Sequence, residues 1–578
     1  MILFEQAFAA TLPDLAARLT GAQVQTWTFD DVPTRRAAEA AFAARGLRAQ
    51  CHSAYKPLVC AFRDGVIDTE GLAGVDITYP RHPHADPRRF LLESYPLAAM
   101  FPDVAFTFLE GAETDALPAY DLRLRYHSGQ LVTAQVLAPN RAHPDYSGNL
   151  ALSPCGWLVA DGQASPLMTD YEQLFHQTMQ ALARADWGTE PFFQELNIAV
   201  TLPARDEDLG YSDEALSLAE ALHEDLYFSA LEFFGALSGR EAGDRLLQPG
   251  QIVPEIRRGP RPGVRVQTRP YDRSPAPDHR QDLETASRPL SPAQIAAELA
   301  ALGGTPFAAR SVAGRRIKAI SVRGGDRGVI ISAGQHANET TAPVGTLRAA
   351  RRLLARAGAH FTLCPLENPD GYALHQRLIR DNPRHMHHAA RYTALGDDME
   401  YRAGPALFEQ EIRHAAEAHV PALLHLNLHG YPAHEWTRPL SGYVPRGFAT
   451  WTIPKGFFLI MRHHPGWDVP ARRLMADVTT RLDDVPGLRA ANDAQIALYE
   501  QHAGPSGFEI LNGFPVLIAP DDRHRVPMTL ITEYPDETIY DDAFRAGHRA
   551  QMAAVIAAYE ALQSLPAGLL PTNTRPAV

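Results

Sequence analysis

From about residue 290 onward, short uninterrupted apolar runs alternate with stretches of helical periodicity, and this alternation restricts the chain more than any other feature. RRIKAISV, RGVIISAG, FTLCPLENP, PALLHLNLHG and PMTLITEYP read as strands. SPAQIAAELAAL, capped by Ser291, and APVGTLRAARRLLARAG, entered through Thr340 or Thr341 and Pro343, read as helices. Strands apolar on both faces need cover on both sides, which predicts an α/β fold: a mixed or mostly parallel C-terminal sheet flanked by helices. Ligands of such sheets gather at the carboxyl ends of the strands.

At 578 residues the chain exceeds what one core supports. Residues 1–165 carry short alternating runs such as YDLRLRYH and QLVTAQVLAP, and are expected to form a strand-rich domain within an α+β N-terminal region. Residues 166–250 read as a helical segment packed on it. There SDEALSLAEALHEDLYFSALEFFGALSG repeats Leu216, Ala219, Leu222, Leu226, Ala230 and Phe233 at helical spacing behind Ser212 as N-cap. Residues 251–289, rich in Pro and Arg, read as a linker, 290–565 as the α/β domain and 566–578 as a tail.

A formal net charge of −13 argues against a nucleic-acid partner. Positive charge is almost all Arg, with Lys only at 56, 318 and 455. The first residues lack a basic signal region, and no stretch approaches the ~20 apolar residues that span a bilayer. Cys51, Cys60, Cys155 and Cys364 form no CxxC, so a reduced, cytoplasmic chain is expected, with a Cys51–Cys60 pair as the alternative for an exported one.

Three strand ends carry chemistry. His336 and Glu339 follow VIISAG, His429 closes LLHLNLH, and Glu533 closes TLITE. Two imidazoles and a carboxylate suit catalytic zinc with one position left open, and a further carboxylate can take a proton from water. A plain hydrogen-bonded pair at a helix entrance is the bland alternative for His336 and Glu339. His425 and His434 compete with His429, and Glu509 and Glu500 with Glu533. The histidines of PRHMHHAARY (His385, His387, His388) read as a polar face at a pocket mouth.

GQHANETTAP, LENPDGY, HLNLHG and TLITEYP, in that order, resemble the zinc carboxypeptidases of the carboxypeptidase A kind over roughly residues 290–560. The resemblance implies a hydrolase with one zinc ion per chain, bound by His336, Glu339 and His429, and with Glu533 as the carboxylate that activates water. It also implies an arginine beyond Asn-Pro-Asp-Gly that polarises the scissile carbonyl; Arg380 is the expectation, Arg377 and Arg384 the rivals. Where the family clamps a substrate carboxylate with Asn and Arg, this chain has Glu400 and Tyr401, with Arg402 one place late as the substrate-binding candidate. The family's mobile Tyr has two candidates, Tyr443 and Tyr499. HANETTAP also resembles the aspartoacylase and succinylglutamate desuccinylase relatives, so the expected partner is a peptide or an acyl-amino-acid substrate. A non-catalytic zinc- or peptide-binding module is a further reading.

Overall fold

The computed structural model describes residues 1–241, 243–274, 278–445 and 452–571. Its C-terminal half is built on a nine-stranded mixed sheet. The strands lie in the order Thr305–Arg310, Arg316–Val322, Phe361–Cys364, Gly328–Ala333, Ala422–Pro432, Met528–Glu537, Phe458–His463, Phe514–Pro520 and Glu509–Leu511. Four consecutive strands, from Phe361–Cys364 to Met528–Glu537, run parallel. Every residue of GVIISA and FTLC is buried, as strands covered on both faces require. On one face Thr341–Leu353 packs against Asp541–Ser564, closely enough that a Cβ on Gly345 would lie 2.6 Å from that of Gln551. The mixed sheet flanked by helices is the expected fold class.

Among the described residues, the N-terminal half holds three four-stranded sheets and two two-stranded ones. The expected linker is overturned here. Gln251–Arg258 and Gly263–Arg269 are strands of one sheet, the first parallel and the second antiparallel to Glu195–Leu202. Pro254 is tolerated because Gln251–Arg258 is an edge strand, with one side free of ladder bonds. The amphipathic helix spans Leu218–Leu237, with Ser217 rather than Ser212 as N-cap: the Ser217 hydroxyl accepts from the Glu220 amide, and Ser212 adopts φ 47°.

One apolar cluster spans the two halves. Leu374, Leu378, Met386, Ala389, Trp436 and Leu440 cluster with Leu222, Leu226, Phe228 and Ile256. Buried ion pairs cross the same boundary: Arg377 with Glu195 at 2.8 Å, His434 with Glu220 at 2.7 Å, and the close pairs Lys56–Glu435 and His388–Glu224. All four cysteines are free and buried, so Cys51 and Cys60 are unpaired. Among the described residues no helix is long and apolar enough to cross a membrane. Ala567–Leu569 forms a short 3-10 turn, and residues 572–578 of the expected tail lie outside the described residues.

Candidate active site

The Gly328–Ala333 strand ends at Gly334, whose φ of 68° lets the chain turn into the loop carrying His336 and Glu339. The next strand in the sheet, Ala422–Pro432, delivers His429. Beyond it Met528–Glu537 runs parallel, and Glu533 stands directly opposite His429 in register. Gly430 permits this pairing, because a Cβ there would sit 1.9 Å from the Asp536 Oδ1. Asp536 in turn accepts from the Thr341 amide and hydroxyl, tying this strand to the start of the helix behind Glu339.

His336, Glu339 and His429 converge, with ligand atoms all within 4.8 Å of one another. His336 Nδ1 lies 2.8 Å from Glu339 Oε1 and 3.0 Å from His429 Nδ1, and His429 Nδ1 lies 3.1 Å from Glu339 Oε2. Glu339 Oε2 is buried and accepts no hydrogen bond. Two imidazole nitrogens and a buried carboxylate oxygen facing one point form a donor set that zinc fits, with three protein ligands and an open position. Burial works against the Glu339 charge, yet His336, His429 and Arg391 hold its carboxyl well below the usual range. Burial and Arg391 likewise oppose a charge on His336, but Glu339 and Asp398 raise its pKa overall.

A second layer fixes the first. His336 Nε2 lies 3.3 Å from Asp398 Oδ2, which leaves Nδ1 free to face the centre. The Gln335 amide donates to Asp398 and accepts from Arg413 and Asn427. Replacing Asp398 by Asn should weaken zinc binding by about 10- to 100-fold, the range for loss of such a support; competition with a fluorescent chelator measures it.

Glu533 is half-buried. Desolvation pushes its carboxyl up to about 8, with Glu339 pushing the same way and His429, Arg391 and Lys455 pulling down. Its rivals lie elsewhere: Glu509 and Glu500 are exposed, and Glu509 pairs with Arg472 at 3.2 Å. His425 bonds Ser332 within the sheet and His434 bonds Glu220, so neither joins the group.

The arginine expectations do not hold. Arg380 is exposed just past the helix Pro369–Leu378, while Arg377 is held by Glu195 and Arg384 pairs with Asp213, both of the N-terminal half. The guanidinium at the site belongs to Arg391, whose Nη1 donates to Glu339 Oε1 at 2.8 Å and to Glu537 Oε1 at 3.4 Å. Arg402 is not placed to bind substrate. Its five N–H groups are taken by Asp397, Glu409, Thr393 and the Leu407 carbonyl. The PRHMHHAARY histidines are buried against the N-terminal half rather than lining a mouth: His388 pairs with Glu224, and His385 with Asp206 and Ser217. Tyr443 and Tyr499 are both fully buried.

The observation that places this geometry among known proteins is a sequence match over residues 305–404. That segment matches the zinc carboxypeptidase family. The zinc carboxypeptidase match includes His336 and Glu339 and ends before His429 and Glu533. No curated protein matches the chain. Solved structures similar to it include the carboxypeptidase A of Helicoverpa armigera, at 13% identity over 54% of this chain and 90% of that one, with a TM-score of 0.30. A metallo-carboxypeptidase of Burkholderia cenocepacia is 15% identical over 47% of this chain and 70% of that one, with a TM-score of 0.29.

Proposed function

We propose that the chain is a zinc-dependent hydrolase of the metallocarboxypeptidase type, acting on peptide or related amide bonds. One observation carries the reading: three zinc-type ligands converge on a point, and a carboxylate with a raised pKa stands in register beside one of them. His336, Glu339 and His429 would hold the ion. A bound zinc ion supplies Lewis acidity, polarising the scissile carbonyl and lowering the pKa of water.

The remaining work falls to the chain's own groups. Glu533 takes a proton from the attacking water, whose oxygen bonds to the acyl carbon, and returns that proton to the nitrogen as the C–N bond breaks. Arg391 keeps its proton throughout and offers a fixed positive charge to the developing oxyanion. Glu339 and Glu537 accept from one of its nitrogens, which holds the guanidinium plane in place.

Metal analysis of the purified protein tests the ligand set. About one zinc per chain is expected, and the His336→Ala, His429→Ala double variant should lose it. Metal content unchanged in that variant would refute the assignment. Hydrolysis of a peptide panel, lost on chelation and restored by zinc, tests the activity.

A further inference from the structure

One sheet of the N-terminal half ends in the strand Leu131–Leu137. Among the described residues, that strand pairs with Ala119–Tyr126 alone, and the register between the two runs without a bulge. The hairpin joining them decides which backbone groups face outward. The Tyr126 amide donates to the Gln130 carbonyl, and the Ala138 amide to the Pro118 carbonyl. By the alternation of an antiparallel ladder, Val132, Ala134 and Val136 therefore bond Ala119–Tyr126. Leu131, Thr133, Gln135 and Leu137 turn their amides and carbonyls away from the sheet. Side chains follow the same period of two. Val136 is buried and Val132 and Ala134 pack against the core, whereas Thr133 and Gln135 are exposed and Leu131 is 71% exposed.

A row of outward backbone groups is a template for another strand, and proteins ordinarily blunt it with charge, proline or a bulge. Among the described residues, every other strand that ends a four- or nine-stranded sheet follows this rule. Glu5, Arg48, Glu110 and Glu509 stand on four of them, and Pro166, Pro254 and Pro306 on the other three. LVTAQVL has neither a charge nor a proline. This edge alone is left open to pairing.

The same seven residues say what pairs with it, because they read almost identically from either end. Laid antiparallel on a second copy about Ala134, the strand sets Leu131 against Leu137, Val132 against Val136 and Thr133 against Gln135. In that register the residues that exchange hydrogen bonds are Leu131 with Leu137 and Thr133 with Gln135, the ones whose backbone faces outward. Charge agrees. Gln135 stands beside Asp121, to which its amide donates at 2.9 Å, and Thr133 stands beside Arg123. Each row across the seam thus runs from an acid on one copy to a base on the other. We propose that Leu131–Leu137 is a homodimer seam, in which two copies join these strands about a two-fold axis through Ala134 and continue one sheet across both chains. A seam of one strand pair is small, so the dimer belongs to the weaker class of interfaces, with a dissociation constant in the micromolar range. The assignment is independent of the hydrolase reading.

Sedimentation velocity on the full-length protein over a range of concentrations tests this. The unmutated chain should pass from monomer to dimer as its concentration rises through the micromolar range. The double variant Thr133→Lys, Gln135→Lys sets like charges opposite one another and should weaken the dimer by about 100-fold or more. Thr133→Glu, Gln135→Glu should do the same, and an equimolar mixture of the two variants should regain the dimer. Both positions are exposed, so the thermal transition of each variant should stay close to that of the unmutated chain. The register has its own readout. Ala134→Cys places two thiols across the axis in a pair whose Cα atoms lie about 4.5 Å apart, within disulfide reach, so mild oxidation should cross-link it. Thr133→Cys would face Gln135 and should stay unlinked. A chain that sediments as a monomer at every concentration, a dimer that survives the paired lysines, a mixture that stays monomeric, or cross-linking of Thr133→Cys in preference to Ala134→Cys overturns the proposal.

Discussion

Glu533→Gln should lose about 10³- to 10⁴-fold in kcat, near the upper end of what one proton-transferring side chain contributes, while zinc content and fold are kept. The glutamine fills the same space between His429 and Phe458 but cannot accept a proton from water. The pH profile adds a second readout. With the ion absent, burial sets this carboxyl near 8. A divalent cation beside it favours the ionised form, so in the loaded enzyme the pKa must fall below that value. Activity should therefore rise with pH along an acidic limb centred below 8, and the residual activity of Glu533→Gln should lack that limb. A near-normal rate in this variant would remove Glu533 from the chemistry.

Removing residues 1–270 should abolish the folded protein altogether rather than release a catalytic half with relaxed selectivity. The cut exposes Leu374, Leu378, Met386, Trp436 and Leu440, which cluster with apolar residues of the removed half. It also removes Glu195 from Arg377, Glu220 from His434, Glu224 from His388 and Lys56 from Glu435. Within the intact chain, removing a single partner of such a pair costs about 3–5 kcal/mol, a large part of a typical domain's stability. Inclusion-body formation, with no cooperative thermal transition in any soluble fraction, is the expected outcome. A soluble fragment that melts cooperatively would show that the halves are independent.

The C-terminal sheet was legible in the sequence because its central strands are apolar on both faces, a pattern only a doubly covered sheet accommodates. Its strand ends pointed to His336, Glu339, His429 and Glu533, which the structure brings together. Arg391 escaped notice for a physical reason. Its placement depends on a winding segment docked against the helix Leu218–Leu237, a tertiary fact with no local signature. Arg402 looked available because a sequence does not reveal that a guanidinium has already spent its donors on neighbours. The strands at 251–269 were hidden by proline and arginine, although GVRVQTR alternates Val264 and Val266 toward the core in the manner of a half-buried strand.

Gly430 has no side chain, yet it governs how far His429 stands from Glu533. Any carbon added there meets the Asp536 carboxylate and, at 2.8 Å, the Tyr534 carbonyl oxygen, a backbone atom that gives way by spreading the two central strands. His429 and Glu533 would then part together, although neither had been altered. A residue with no chemistry of its own thus sets the spacing of two candidate site residues, and screens that score only polar groups would pass it over.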